Sequence, residues 1–262
     1  MIQMRVAPGD KSANLRHAAD LVAKAAQLGA QVAVLPETMT LGWTHPSAAT
    51  LADTVPDGET CCQLSVLAKQ HGLYLGSGLV ERAGDTVFNA AVLFGPDGTL
   101  LLHHRKINEL DIGHDCYALG DRLEVVRTPL GCFGLMICAD GFAPRQVISR
   151  SLALMGADLI LSPCAWAVPA DYDQAREPYG KLWRDNYGPV AREHGLWIAG
   201  VSNVGPITAG PWAGRKCIGC SLLVGPDGQP ALCGPFGEDA ETILIHQVNL
   251  AQRLRPWSEP GK

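Results

Sequence analysis

The segment GAQVAVLPE at residues 29–37 contains a short apolar, β-branched run that ends at a proline. A similar segment, GADLILSP, occurs at 156–163. Two more pairs follow in the same order, roughly 125 residues apart. They are HGLYLGSGLV (71–80) with HGLWIAGVSN (194–203), and LFGPDGTLL (93–101) with LVGPDGQPAL (223–232). Because this period is far too long for a solenoid, it predicts two similar halves of one domain.

Each half has the same predicted order of elements. An Ala/Leu-rich helix (13–28, then roughly 144–155) precedes the apolar strand. A second helix (about 60–71, then 178–194) ends at a His-Gly pair, which is a typical helix stop, and another apolar strand follows. A Pro-Asp-Gly turn between two strands then predicts a β-hairpin.

The predicted strands VAVL, LILS, LYLGS and LWIAG are apolar almost throughout. Such strands are buried on both faces, here by helices on one side and a second sheet on the other. The pattern therefore predicts an α/β fold in the form of a four-layer α-β-β-α sandwich. We expect residues 1–262 to form this single domain from two pseudo-repeated halves.

The two halves differ at their first strand. The second half opens with the seven-residue run CFGLMIC (132–138), whereas only MIQM (1–4) precedes the turn APGDK in the first half. We therefore expect the first strand to be clipped, with Met1 not being the natural start.

Composition excludes several classes of protein. The 262 residues include 21 Lys+Arg and 26 Asp+Glu, a net charge of −5, which gives no support for a nucleic-acid partner. No apolar run reaches the ~18 residues of a membrane span, and no secretion signal opens the chain. Nine cysteines without regular spacing are expected to be mostly reduced and buried, and the protein to be cytoplasmic.

Three reactive side chains follow predicted strands. Glu37 ends LPE just past an apolar strand, Lys106 follows the hairpin strand in HHRK, and Cys138 lies between an apolar strand and the tight turn Ala-Asp-Gly. Functional sites of α/β proteins lie at the carboxyl ends of strands. At the junction between strand and turn, we expect the thiol of Cys138 to be exposed. Taken alone, each residue has an ordinary explanation as a loop carboxylate, a surface lysine or a core cysteine.

Together with their flanks, these residues resemble the nitrilase superfamily of carbon–nitrogen hydrolases. The resemblance extends from LPE (35–37) to the GPDG hairpin (225–228) and includes the order Glu, Lys, Cys. It also includes a Gly-Asp pair at 120–121 and GADLIL at 156–161. Ala-Asp-Gly after the cysteine, rather than Trp-Glu, resembles the amidase and carbamoyl-hydrolase branch.

The resemblance implies a catalytic triad of Glu37, Lys106 and Cys138. Glu37 is expected to take the proton from Cys138, whose sulfur attacks the carbonyl carbon to form a thioester. Lys106 and the backbone N–H of Ala139 are expected to stabilise the oxyanion. The implied substrate is a small amide or N-carbamoyl compound, with no cofactor and no metal. The alternatives are a nitrile hydrolase of the same family and a catalytically silent member that binds or assembles.

Other site residues are less specific. Many family members have a second glutamate that holds the lysine, and here Glu109 is the first candidate and Asp115 the second. Trp166 occupies a position where members often line the substrate pocket, and Trp43 follows Glu37 closely; core packing is the alternative for both. Loops 39–58, 110–121 and 164–180 are expected to set specificity.

The pair Cys217 and Cys220 forms a single C-x-x-C. A structural zinc site needs four ligands, and a redox C-x-x-C normally opens a helix in a small βαβ domain. The run CIGCSLLV (217–224) instead predicts a strand, so neither a zinc nor a redox function is favoured. The family resemblance also implies a homo-oligomer, a dimer or larger, with no membrane partner.

Overall fold

The structure is a computed structural model, and it describes residues 1–250. The α-helices in this range are α1 Lys11–Gln27, α2 Ala48–Leu51, α3 Glu59–His71, α4 Val147–Leu154 and α5 Lys181–His194. The strands of the first half are β1 Ile2–Gln3, β2 Val32–Val34, β3 Tyr74–Ala83, β4 Thr86–Phe94 and β5 Leu100–Arg105. The remaining strands are β6 Val125–Thr128, β7 Gly131–Leu135, β8 Leu159–Cys164, β9 Ala167–Val168, β10 Trp197–Ser202, β11 Val204–Pro206, β12 Lys216–Ile218, β13 Leu222–Val224, β14 Pro230–Cys233 and β15 Thr242–Ile243.

The two main sheets confirm the predicted repeat. The first has the order β2-β3-β4-β5, and the second has the order β14-β13-β10-β8-β7-β6. In the first sheet β2 is parallel to β3, and β4 and β5 follow antiparallel. In the second sheet β8 is parallel to β10, and β13 and β14 follow antiparallel. Each half therefore builds the same four-stranded unit.

The apolar strands are buried on both faces, as predicted. One cluster, which includes Leu21 of α1, Leu64 of α3 and Leu75 of β3, packs the first helix pair on the first sheet. A second cluster includes side chains of both sheets, such as Leu93 and Leu161, together with residues of α4 and α5. The layers are therefore helices, sheet, sheet and helices, which is the predicted sandwich.

The predicted helix stops and hairpin turns are present. Gly72 and Gly195 end α3 and α5 in the left-handed conformation, with φ of 60° at both residues. In the two Pro-Asp-Gly turns, Gly98 and Gly228 have φ of 85° and 77°. Glycine adopts these angles without the steric cost that a side chain would add.

Three predicted elements differ from the structure. The strand 132–138 ends at Leu135, because the Ile137 N–H donates to the Asp140 carboxylate instead of continuing the ladder. The run 217–224 is not one strand, since it turns at Cys220 (φ 57°) between β12 and β13. The helix predicted at 144–155 begins only at Val147, after a 3₁₀ turn.

The first strand is short. Residues Ile2–Gln3 pair antiparallel with β15 in a separate two-stranded sheet. In the repeat, this first strand is the counterpart of β7 in the second half. That the strand is clipped stays a prediction. Of the helices within 1–250, none is both long and apolar enough to cross a bilayer.

Candidate active site

A buried cluster of charged side chains lies at the ends of strands in the first sheet. Lys106, directly after β5, donates from Nζ to Oε1 of Glu37 at 2.8 Å and to Oε1 of Glu109 at 2.7 Å. Asn89 of β4 donates from Nδ2 to Glu37 Oε1 at 2.7 Å and to Glu109 Oε2 at 3.0 Å. One ammonium and one amide therefore hold two carboxylates side by side.

Burial controls the protonation of this cluster. It raises the pKa of Glu37, and although Lys106 opposes this shift, the nearby Glu109 charge adds to it. Burial alone would lower the pKa of Lys106, but the charges of Glu37 and Glu109 outweigh it and raise that pKa well above its ordinary value. The lysine is therefore an ammonium at neutral pH, and Glu37 is a stronger base than a solvated carboxylate.

Cys138 begins a 3₁₀ turn, Cys138–Phe142, with φ of 43°. The prediction of an exposed thiol is wrong, since the residue is only 9% exposed. Burial, a contact with Cys164 and the charge of Glu37 raise its pKa well above the usual value, and Lys106 acts in the opposite direction. The resting sulfur is therefore a thiol, and it needs a base before it can act as a nucleophile.

Asp140 connects the cysteine turn to the segment that follows Lys106. Its Oδ1 accepts the backbone N–H of Ile107 at 3.1 Å and of Asn108 at 2.8 Å. Its Oδ2 accepts the N–H of Ile137 at 2.9 Å and lies 2.8 Å from Nε2 of His104. This fully buried carboxylate therefore holds two segments from different halves of the chain in register.

A second set of bonds joins the same two halves. The side-chain amide of Asn108 donates to the carbonyl of Ala139 at 2.7 Å. The backbone N–H of Glu37 donates to the carbonyl of Cys164 at 3.2 Å. The positions of both the glutamate and the cysteine turn thus depend on contacts across the sheet interface.

Replacing Asp140 with alanine is expected to lower the free energy of unfolding by about 3 kcal/mol or more, because it leaves several buried donors without an acceptor. Urea denaturation measures this loss. Asp97→Ala, which removes an exposed carboxylate that accepts the N–H of Thr99, is the matched control and should lose far less. Equal losses in the two variants would contradict the bridging role of Asp140.

A cavity of about 280 Å³ opens beside this cluster. Glu37, Lys106 and Cys138 contribute to its wall. Six of its lining side chains are aromatic: Trp43, Phe142, Trp166, Tyr179, Trp183 and Trp212. A charged, reactive patch therefore faces a largely apolar chamber.

A larger cavity, of about 650 Å³, lies at the other end of β2 and β8, beside residues 244–250. Among residues 1–250, its lining includes no cysteine and no acidic side chain. Because the larger cavity lacks these reactive groups among the described residues, the smaller cavity is the candidate active site.

The structure brings most of the predicted site residues together. Ala139 and Trp166 line the cavity with the three triad candidates, and so does Trp43. Of the two candidates for the second carboxylate, Glu109 contacts Lys106, whereas Asp115 is exposed to solvent. The catalytic roles of these residues stay predictions.

Sequence reasoning missed several site residues. Asn89 could have been noticed as a polar residue within the apolar strand VFNAAVLF. Asp140, two residues after the cysteine, is interpreted from sequence as part of a turn and as a feature of the amidase and carbamoyl-hydrolase branch, and its bridging bonds were not foreseen. Trp183 lies on α5 and Trp212 in the segment between β11 and β12, and no local pattern distinguishes these two from core tryptophans.

The cysteine pair Cys217 and Cys220 has no site built around it. In the part of the chain that the structure describes, no group of three or more His, Cys, Asp or Glu side chains could hold a metal ion. All nine cysteines are free thiols.

Comparison with known proteins extends these observations. The family model named carbon-nitrogen hydrolase matches residues 1–257. A nitrilase of Pyrococcus abyssi is 30% identical over 253 residues, which cover 95% of this chain and 88% of the relative. The omega-amidase NIT2-A of Xenopus laevis is 32% identical over 267 residues, covering 95% and 87%.

A solved structure agrees in fold. A carbon-nitrogen hydrolase from Helicobacter pylori G27 superposes with a TM-score of 0.79 at 24% identity, covering 89% of this chain and 83% of that one. With the family match along nearly the whole chain, and with relatives of 30% identity or more, the conclusion is direct: this chain belongs to the carbon-nitrogen hydrolase family.

Proposed function

We propose that the protein hydrolyses the C–N bond of a small carboxamide or N-carbamoyl compound and releases ammonia. Cys138 is the nucleophile and forms a thioester with the acyl group. The observation that carries this proposal is the Lys106 ammonium, held between two buried carboxylates beside the same cavity that Cys138 lines.

In the first half-reaction, Glu37 takes the thiol proton as the sulfur of Cys138 attacks the carbonyl carbon. The developing oxyanion is stabilised by Lys106 and by the backbone N–H of Ala139. The C–N bond then breaks, and Glu37 delivers the proton to the leaving nitrogen, which departs as ammonia. The raised pKa of Glu37 suits a group that must both accept and return a proton.

In the second half-reaction, water replaces ammonia. Glu37 takes a proton from the water as the water oxygen attacks the thioester carbon. The C–S bond then breaks, Glu37 returns the proton to the sulfur of Cys138, and the carboxylic acid leaves. Glu109, bonded to Lys106, keeps the ammonium oriented through both steps. The names of the two relatives, a nitrilase and an omega-amidase, support C–N chemistry of this kind.

Acid quenching during turnover of 4-methylpentanamide is expected to trap the thioester. The intact protein mass should rise by that of the acyl group, and peptide mapping should place the group on Cys138 and not on the neighbouring Cys164. Ammonia release measured in the same samples links the adduct to turnover. Ammonia without an adduct on Cys138 would contradict the thioester route, and absence of both products with 4-methylpentanamide and also with succinamate would indicate a silent member of the family.

A further inference from the structure

The walls of the 280 Å³ cavity carry information about the acyl group. Apart from Glu37, Lys106 and Cys138, every lining residue is apolar or aromatic. Trp166 stacks on Trp183 with ring centroids 4.6 Å apart, and Trp43 meets Trp212 edge-on at 4.8 Å. The volume of about 280 Å³ lies just below the ~300–1,000 Å³ that is typical of ligand sites. A small apolar group fits these walls.

Within the described part of the chain, no lining residue offers a free positive charge to a substrate carboxylate, and the unpartnered donors on the wall are the uncharged indole N–H groups of Trp43 and Trp166. Lys106 is the one basic residue among the lining side chains in residues 1–250, and it is already bonded to Glu37 and Glu109. Those two carboxylates against one ammonium leave a net negative charge, which repels a second anion. A buried carboxylate without a partner is costly, so the cavity selects against one.

Arg215 is a cation that packs against one of the lining tryptophans. Arg215 lies over the ring of Trp212, with its guanidinium carbon 4.3 Å from the ring centroid, but it is not itself a lining residue. Any test of charge selection must therefore include this arginine.

We infer that the substrates are primary amides whose acyl group is small, uncharged and apolar. Amides that carry a carboxylate, including the monoamides of dicarboxylic acids and N-carbamoyl amino acids, are poor substrates. This inference rests on the proposed function, because it concerns the acyl group that Cys138 would receive.

The test compares two amides of matched shape. In 4-methylpentanamide an isopropyl group replaces the carboxylate of succinamate, and the rest of the chain is identical. We expect kcat/KM for 4-methylpentanamide to exceed that for succinamate by at least about 100-fold. Equal rates, or faster hydrolysis of succinamate, would overturn the inference. Loss of the succinamate activity in Arg215→Gln would then assign its carboxylate to Arg215.

Binding separates this inference from the proposed function. The Cys138→Ala variant is titrated with each amide by calorimetry. If neither amide is hydrolysed by the native protein, the proposed function fails, but tighter binding of 4-methylpentanamide still supports the apolar acyl site. Tighter binding of succinamate, or binding of neither amide, overturns the inference of an apolar acyl site.

Discussion

Replacing Cys138 with alanine is expected to lower kcat/KM for amide hydrolysis by at least about 10⁴-fold. The thiol supplies the only covalent attachment for the acyl group in the proposed route, so its removal leaves no thioester to form. Alanine occupies less space and meets the same backbone requirement at φ 43° as cysteine, so the turn is expected to persist. Ammonia release measures the loss, and circular dichroism checks the fold.

Cys61→Ala is the matched control for this experiment. Cys61 is also a buried thiol, but it lies on α3 in the cluster that packs against α1, away from the cavity. Removal of the Cys61 thiol should leave kcat/KM within about threefold of the native value, because the packing that is lost on α3 lowers the stability of the fold and does not alter the cavity. Activity that survived Cys138→Ala would remove this residue from the mechanism.

Replacing Glu37 with glutamine is expected to lower kcat/KM by about 10³-fold, the range in which positioned acid–base groups contribute. Glutamine can still accept a hydrogen bond from Lys106, but it cannot take the thiol proton. Because burial raises the pKa of Cys138 as well as that of Glu37, little thiolate forms without this base.

The pH profile of kcat/KM tests the same role of Glu37, because the proposed role predicts the direction of the change with pH. The base must be ionised, so native kcat/KM should fall as the pH drops through the pKa of Glu37. Since that pKa is raised, the fall begins at a higher pH than for a solvated carboxyl. Glu37→Gln should remove this acid limb, whereas Glu81→Gln, at a buried carboxylate bound by Arg105, should retain it. An unchanged limb in Glu37→Gln would assign the proton transfer elsewhere.

Much of the fold followed from local pattern. Apolar strands such as LILS, helix stops at Gly72 and Gly195, and the paired Pro-Asp-Gly turns each depend on short-range chemistry that a sequence displays. The breaks were harder to foresee. The sequence near Leu135 does not indicate that its strand ends there, because the cause is the side chain of Asp140, which accepts the backbone N–H of Ile137.

The site residues also fall into those that the sequence predicts and those that only the fold reveals. Glu37, Lys106 and Cys138 could be named from strand ends and family resemblance. Asn89 stood out only as a polar residue within an apolar strand, and Trp212 had no local signal, since the role of each arises only when distant segments meet in three dimensions. The second carboxylate lay between these cases: two candidates were visible, and only the fold shows which one reaches the lysine.

The Asp140 bridge has a consequence for how the chain acquires reactivity during synthesis. Cys138, the proposed nucleophile, is synthesised after Glu37 and Lys106, yet the cysteine turn is held beside the Lys106 segment only once the later half docks on the earlier one. If the proposed roles hold, a nascent or partly unfolded chain therefore carries an ordinary thiol, and the proposed reaction requires that the two halves have assembled.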